Sequence, residues 1–265
     1  MLQQRCLIAA AGVVLLSFAA LSGCDKKPSA GLAPSASAFE APKAQAGAGS
    51  FAIDTGSSKL SFTMDAELEK ISGRAPGAVE GQIQVDPKDL SKSSGLVRVD
   101  LDKLSIYQQK REKGDQQFGT ETKNEKQNKD MRTWFEIESD APPDAREKNR
   151  WAEFRIGKIE NASANALNTL SGAERKVTLN VSGDFRLHQR VAPKTVKLEA
   201  TFKYEGDRPV AIAIKTLEPF AVDLAEHDVR PRSAFGTLAD KTLEALGAKV
   251  AKRAMISLDF SAQAK

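Results

Sequence analysis

The sequence predicts an all-β fold, and two observations carry this prediction. Along residues 176–205, apolar and polar residues alternate twice, with a polar break containing Pro193 between the two runs. Shorter runs with the same two-residue period recur through the rest of the chain. Because successive side chains of a strand point to opposite faces, such alternation is typical of strands with one buried face. Two runs joined by a short polar connection indicate an antiparallel hairpin.

The first 23 residues are predicted to be a lipoprotein signal peptide. Arg5 supplies a positive charge, residues 7–20 form an apolar stretch, and residues 21–24 (LSGC) are typical of a bacterial lipobox. The thiol of Cys24 would receive the diacylglyceryl chain. The apolar stretch is short for a membrane-spanning helix; a transmembrane anchor and a secreted protein with an incidental cysteine are the alternatives. We therefore expect a lipid-anchored, periplasm-facing protein of the bacterial cell envelope, on either the inner or the outer membrane.

Residues 24–50 are predicted to be a flexible linker behind this lipid anchor. They are rich in Ala, Pro, Ser and Gly and hold almost no large apolar residue, so they cannot bury enough surface to offset the entropy of ordering. A functional tether and a mere spacer fit this composition equally. The chain has two cysteines, Cys6 and Cys24. One would be cleaved off and the other acylated, which excludes a disulfide or a thiol nucleophile in the mature domain.

Residues 51–265 are predicted to form the folded β-barrel domain. Strands are expected at 51–64, 79–85, 96–104, 151–156, 176–188, 196–204, 210–214 and 255–262. Gly81, within a strand, predicts a bend or a close approach of two strands. Residues 107–128 are polar and are expected to form a loop or a helical crossing. Residues 142–150 are also polar and are expected to form a turn. Apolar residues at helical spacing predict an amphipathic helix over 237–252.

Several of these segments resemble the YceI-like family. The resemblance lies in residues 181–188 (VSGDFRLH) with 193–196 (PKTV), in 51–54 (FAID), in 79–87 (VEGQIQVDP) and in 128–135 (NKDMRTWF). It implies a periplasmic protein with a lipocalin-like antiparallel barrel of about eight strands, one or two short helices, and a long polyisoprenoid chain held inside. Residues 189–192 stand where the family has a tighter turn, which predicts a longer turn here.

Apolar alternation along the strands indicates which side chains face the barrel interior. A barrel of about eight strands is either filled by its side chains or holds one slender ligand. Periodicity alone favours a filled core; the resemblance favours a ligand tunnel. The predicted lining residues are Phe62, Val79, Ile83, Val99, Phe154, Phe185, Leu198, Phe202 and Leu258. Met131, Trp134 and Phe135 are expected to form a lid over one mouth, or else a surface helix with its own small cluster.

No catalytic constellation is found in the sequence, which predicts that the protein is not an enzyme. The two histidines, His188 and His227, are not at metal-ligand spacing. His188 falls on the polar side of its strand, where a structural hydrogen bond is expected, and His227 is expected in a surface loop. Glu67 and Glu69 are expected on a solvated edge. Serines occur outside any Gly-x-Ser-x-Gly elbow.

The function predicted is binding, with transport or storage, of a long-chain isoprenoid or similar amphiphile. We expect neither a cofactor nor a metal, although a quinone-like molecule is a candidate ligand. The formal net charge is +4 and both signs are interspersed, which excludes an extended nucleic-acid surface as a partner. The alternatives are a structural or protein-interaction lipoprotein with a filled core, and an enzyme acting on a lipid. The oligomeric state is not predicted.

Overall fold

A closed antiparallel barrel forms the centre of the computed structural model, which describes residues 31–43, 45–233, 236–237 and 251–265. The side chains of 232–233 and 236–237 are not among the parts described. In chain order the strands are β1 (Gly49–Asp65), β2 (Glu69–Pro76), β3 (Val79–Val85), β4 (Ser94–Asp100), β5 (Ser105–Lys110), β6 (Thr122–Lys123), β7 (Trp151–Glu160), β8 (Glu174–Leu187), β9 (Arg190–Glu205), β10 (Arg208–Thr216), β11 (Phe220–Asp223), β12 (Arg232–Ser233), β13 (Gly236–Thr237) and β14 (Arg253–Ala264). The helices described are α1 (Glu125–Trp134) and α2 (Pro143–Asn149). The predicted helix over 237–252 falls almost entirely outside the described residues.

Eight of the described strands close the barrel in the order β1-β3-β4-β7-β8-β9-β10-β14, and β14 pairs again with β1. The all-β prediction is thereby confirmed. Closure gives each strand a neighbour on both sides and leaves one inner face for apolar side chains. The inward residues of β8, from Val177 to Leu187, are buried together with those of the neighbouring strands in one continuous core.

The strand β1 changes partners along its length, and this change opens one end of the barrel. Residues Gly49 to Ala52 pair with β3, whereas Lys59 to Asp65 pair with β2. Strands β5 and β6 extend the sheet beyond β2, and β11 extends it beyond the first residues of β14. The sheet therefore flares on both sides at this end, and α1 lies against β5.

The β8–β9 hairpin is confirmed, but its predicted long turn is wrong. Leu187 pairs directly with Arg190, so His188 and Gln189 alone make the turn, with φ of 48° and 60°. Two residues with positive φ are what a type I′ hairpin requires, because that turn matches the twist of the strands. Pro193 is already inside β9, opposite Asp184. Of residues 189–192, Gln189 is thus in the two-residue turn, and 190–192 lengthen the strand.

Glycine is required in β3, as the sequence predicts. Gly81 has φ of 139°, and a Cβ atom there would lie 2.0 Å from the carbonyl oxygen of Leu96 on β4. Only glycine allows the two strands to approach so closely at this bend.

Two polar segments have more structure than the sequence predicts. The expected turn at 142–150 contains α2, which begins with Pro142 and Pro143, and proline suits the first turn of a helix. Within 107–128, β5 continues to Lys110 and α1 begins after Asn124, whose side chain accepts from the backbone N–H groups of Lys126 and Gln127. These segments are rich in polar residues because one side of each helix or strand in them faces solvent.

The linker predicted over 24–50 is partly docked, which corrects the expectation of a flexible chain there. Residues 33–39, called the docked segment below, lie along the start of β9. The backbone N–H of Ala36 donates to the carbonyl of Gln189 at 2.9 Å, and Val191 donates to Pro34 at 2.9 Å. β10 pairs with β9 only from Leu198 onward, so the first residues of β9 lack a neighbouring strand on the edge opposite β8. The docked segment lies along that edge.

Candidate ligand cavity

The flared end of the barrel contains a cavity of about 270 Å³. Its lining residues come from β1, β2, β4, β5, β7, β8, β11, β14, α1 and the adjoining loops. Among the described residues, they are Leu60, Phe62, Met64, Glu69, Ile71, Val97, Val99, Leu101, Leu104, Ile106, Gln127, Asp130, Met131, Trp134, Phe135, Ala152, Glu153, Phe154, Phe185, Leu187, Phe220, Val222, Leu224, Val229, Ala251, Ala254, Ile256 and Leu258. All but Glu69, Gln127, Asp130 and Glu153 are apolar, so the cavity is suited to hydrocarbon.

A second, smaller cavity of about 70 Å³ lies among the barrel strands. Four residues line both cavities and therefore separate them: Val97, Phe154, Phe220 and Leu258. The only polar residue among the described lining of the smaller cavity, Thr216, exchanges hydrogen bonds with the backbone of Leu258, so its hydroxyl is satisfied within the wall. The smaller cavity is thus apolar, and these four side chains separate it from the larger one.

The structure places the predicted lining residues in four groups. Phe62, Val99 and Phe185 line the larger cavity, Ile83 and Leu198 line the smaller one, and Phe154 and Leu258 line both. Val79 and Phe202 are buried in the core cluster and are not among the residues that line either cavity. Contact of any of these side chains with a ligand stays a prediction.

The ring of Phe62 depends on the residue paired with it across the sheet. Phe62 on β1 pairs with Gly73 on β2, and a Cβ atom at Gly73 would lie 2.0 Å from the ring. The ring therefore packs flat over the glycine backbone. Any side chain at Gly73 would displace it from that position.

The helix α1 covers one side of the larger cavity with the three residues predicted as a lid. Met131 and Phe135 are buried, Trp134 is half-buried, and all three line the cavity. The helix is held to β5 by Asn128, which is 1% exposed. The side chain of Asn128 accepts from the backbone N–H of Ile106 at 2.8 Å and donates to its carbonyl at 2.9 Å. The Asn128 amide on α1 thus bonds the edge of β5 as the backbone of a neighbouring strand would.

Three of the four polar lining residues lie together, beside α1. Glu69 belongs to β2, while Gln127 and Asp130 are one turn apart on α1. The Gln127 Nε2 donates to Glu69 Oε1 at 2.7 Å, and Gln108 Nε2 donates to the same oxygen. The expectation of a solvated edge is therefore wrong for Glu69, because β2 bends inward with the flared sheet. It holds for Glu67, which is exposed. No spacing pattern in the sequence marked these three residues.

Both histidines are buried, so the surface position expected for His227 is wrong, whereas His188 makes the structural hydrogen bonds expected of it. The Nε2 of His188 lies 3.0 Å from Glu136 Oε2, and its Nδ1 lies 3.3 Å from the carbonyl oxygen of His227. The ring of His227 lies edge-on to Phe185, with centroids 5.4 Å apart, and its Nδ1 is 3.1 Å from the carbonyl oxygen of Arg190. Burial lowers the pKa of His227, because a charged imidazole would lose its hydration.

A buried ion cluster lies outside the barrel wall, beneath the docked segment. Glu153 on β7 lies 3.2 Å from Arg186 Nη1 on β8 and 3.1 Å from Arg98 Nε on β4. The docked segment covers it: Phe39 donates its backbone N–H to Glu153 Oε2 at 3.1 Å, and Arg186 Nε donates to the Ala36 carbonyl at 3.1 Å. Burial lowers the pKa of Arg186. Parity places Arg186 outward, and this cover is why it is nevertheless 1% exposed.

Neither a metal site nor a membrane-spanning helix is found in the described part of the chain. No group of three or more His, Cys, Asp or Glu residues there has the arrangement needed to hold a metal ion. Among the same residues, no helix is both long enough and apolar enough to cross a membrane. The predicted acylation site, Cys24, lies outside the described residues.

Comparison with known proteins finds a family match and similar solved structures. Residues 51–262 match the family described as the YceI-like domain. No curated protein matches the chain. Two solved structures are similar: a polyisoprenoid binding domain from Saccharophagus degradans implicated in plant cell wall breakdown, and BcnA of Burkholderia cenocepacia. The first has 12% identity and a TM-score of 0.49 over 81% of this chain and 98% of its own. The second has 14% identity and a TM-score of 0.44 over 79% and 98%.

Proposed function

Since the chain belongs to the YceI-like family, we propose that it binds a long-chain isoprenoid or a related amphiphile inside its barrel, without catalysis. The observation that carries this proposal is the cavity of about 270 Å³ with its apolar lining. Each methylene group removed from water contributes about 0.8 kcal/mol, so hydrocarbon burial alone gives substantial affinity. A solidly packed barrel would leave no such space, because side chains normally fill a core to crystal-like density.

The size of the space sets how the chain would be accommodated. A dry cavity of about 150 Å³ holds one benzene ring, so the larger cavity holds roughly ten carbon atoms. A longer chain would continue into the smaller cavity only after the separating side chains, such as Phe154 and Phe220, change rotamer. We expect affinity to rise with each isoprene unit while this inner space fills, and then to level off.

The proposed anchor gives the cavity access to a lipid source. Acylation of Cys24 would hold the chain at a membrane, and the docked segment begins at Ala33, nine residues later. Nine residues span at most roughly 30 Å when fully extended. Contacts of the docked segment with Gln189 and Glu226 place its start beside the β8–β9 turn, close to the cavity residues Leu187 and Leu224. Transport or storage of an amphiphile near the membrane is the role that this arrangement supports.

The test of binding is native mass spectrometry of the full chain carrying Cys24→Ser, purified without detergent and then given polyprenols of increasing length. We expect a bound apolar molecule, or uptake of the added ones. Val97→Phe, which enlarges a side chain that lines both cavities, should abolish uptake. Lys158→Phe, which adds the same ring on the exposed side of β7, should not. A protein that is empty and takes up none of the polyprenols would refute binding and favour an interaction module.

The test of anchoring is independent of ligand binding. The unmodified chain, expressed in a bacterium that acylates lipoproteins, should fractionate with membranes and show the mass of a diacylglyceryl group on the peptide that begins with Cys24. In Cys24→Ser this mass should be absent. A peptide of the unmodified chain that begins with Cys24 and carries no diacylglyceryl group would contradict the lipid anchor.

A further inference from the structure

The loop of residues 224–229, called the mouth loop below, follows β11 and forms part of the wall of the larger cavity. Its two ends, Leu224 and Val229, line the cavity. The loop folds on itself, since the backbone N–H of Val229 donates to the carbonyl of Leu224 at 2.9 Å. Residues 224–228 form a turn and not a strand. A turn opens at a lower free-energy cost than a strand bonded on both sides, so the mouth loop is the part of this wall that is suited to move.

The docked segment contacts the mouth loop directly. The backbone N–H of Ala33 donates to the carbonyl of Glu226 at 2.8 Å. The guanidinium of Arg190, at the start of β9, donates to the carbonyl of Ala33 at 3.3 Å. The carbonyl oxygen of Arg190 in turn lies 3.1 Å from His227 Nδ1. The docked segment, the start of β9 and the mouth loop are therefore bonded to one another, and a movement of the docked segment affects the other two.

The docked segment is itself weakly held. Its pairing with β9 consists of one isolated bridge, between Ser35 and Arg190. Only its first residue, Ala33, is buried, and the other six are half-buried or exposed. Little apolar surface therefore opposes its detachment, which does not require the barrel to unfold. The ion cluster beneath it does not prevent detachment either, because Glu153 and Arg186 remain paired at 3.2 Å while water returns to them.

We propose that the docked segment holds the mouth loop against the larger cavity, and that its release from β9 opens this wall for the amphiphile to enter or leave. While the segment is docked, the wall residues Leu187 and Val229 are buried. Release breaks the bonds to Glu226 and Arg190 together, so the mouth loop and the start of β9 gain freedom at the same time. The docked segment thus sets the rate of ligand exchange. This inference rests on the proposed function, because it concerns how the ligand of the same cavity is exchanged.

The test locks the docked segment with a disulfide that reduction opens again. The hydrogen bonds on either side of Ser35 and Arg190 make them a non-hydrogen-bonded pair, whose Cα atoms lie about 4.5 Å apart, within reach of a disulfide. The full chain carries Ser35→Cys and Arg190→Cys, together with Cys6→Ser and Cys24→Ser, which remove the native thiols. It is loaded with geranylgeraniol and mixed with phosphatidylcholine vesicles, and the bound fraction is followed over time by native mass spectrometry. We expect the oxidised form to lose the ligand at least about tenfold more slowly than the same protein after reduction.

Two further pairs of variants separate the docked segment from the rest of the barrel. Ser182→Cys with Thr195→Cys places a disulfide further along the β8–β9 hairpin, where the two hydroxyls lie 2.8 Å apart, and its oxidation should leave the rate unchanged. Ala36→Pro removes the N–H that donates to Gln189, so ligand loss should be about three- to tenfold faster. Ala38→Pro, at an exposed position with no backbone hydrogen bond among the described residues, should not change the rate.

The outcomes distinguish this inference from the proposed function. Equal rates in the oxidised and reduced forms of the variant at Ser35 and Arg190 would overturn the inference while leaving the proposed function standing. Equal slowing by the disulfide at Ser182 and Thr195 would also overturn it, because the stiffness of the hairpin would then be the cause. Failure of the thiols at 35 and 190 to join on mild oxidation would contradict the docking. If neither the unsubstituted protein nor any variant holds geranylgeraniol, the proposed function is refuted instead.

Discussion

Replacing Phe185 by Ala is expected to lower the free energy of unfolding by about 3–5 kcal/mol. Phe185 is 6% exposed, lies in the middle of the core and packs edge-on against both Phe220 and His227, at centroid distances of 6.2 and 5.4 Å. Removing the ring loses about 1.5–3 kcal/mol of hydrophobic burial. The two aromatic contacts add about 0.5–1.5 kcal/mol each. The sum, about 2.5–6 kcal/mol, is centred on the range of about 3–5 kcal/mol measured for buried phenylalanines.

The location of Phe185 favours the upper part of this range. It lines the larger cavity, so the space vacated by its ring would join a void that the surrounding barrel already holds open. A closed sheet cannot collapse around such a space without breaking strand pairs, and the cost of a cavity increases with the volume that remains.

The assay is equilibrium unfolding in urea of the ligand-free protein, followed by far-UV circular dichroism. Phe118→Ala is the matched control, because Phe118 is half-buried in the polar segment before β6, under the guanidinium of Arg111 at 4.7 Å. We expect that control to lose less than about 1 kcal/mol. Equal losses in the two variants, or a loss below about 1 kcal/mol for Phe185→Ala, would mean that the inward face of β8 is assigned wrongly.

Three further predictions follow from single contacts. Gly73→Ala should displace the ring of Phe62 and reduce polyprenol uptake by roughly tenfold. Gly31→Ala, at a position in open space, is the control and should not change uptake. Equal uptake in the two variants would contradict the packing of the Phe62 ring. Asn128→Ala should cost about 2–3 kcal/mol and speed amide exchange in β5, because it leaves two backbone groups there unpaired; unchanged exchange would show that α1 is held otherwise. For His227, burial holds the folded-state pKa below the usual 6.5, so as the pH falls through 6.5 the unfolded state takes up the proton first and stability decreases. His227→Asn should flatten the dependence of the urea midpoint on pH between about 7 and 5, and an unaltered slope would assign the effect to another group.

Alternation along the strands predicted the barrel because it reports which side chains share a face. Val177, Leu179 and Phe185 are buried as their parity requires. Parity did not predict the burial of Arg186 and His188, which were expected on the polar side of β8. Their cover consists of the docked segment, the end of α2 and the loop before Val229, and these come from distant parts of the chain.

The polar residues that line the larger cavity, Glu69, Gln127 and Asp130, show the same limit. Glu69 looks like a surface carboxylate, since it alternates with Glu67 in a polar stretch. It becomes a cavity residue because β1 pairs with β3 at its start and with β2 further along. This change of partner positions β2 at the end of the barrel. Gln127 and Asp130 reach the same cavity only through the docking of α1 on β5. Two short segments far apart in sequence, the start of β2 and α1, thereby contribute the polar residues of one cavity.

The sequence by itself determined that this protein is a one-sided sheet of antiparallel strands and where most of those strands lie. A two-residue period is a local property, and it can be recognised in each segment independently of the others. Whether the enclosed space is open or filled was decided only by the tertiary structure. That outcome depends on how the side chains of eight strands and one helix meet at the centre, and on β1 changing partners at the flared end. Volume is a property of the whole barrel, and no single strand encodes it.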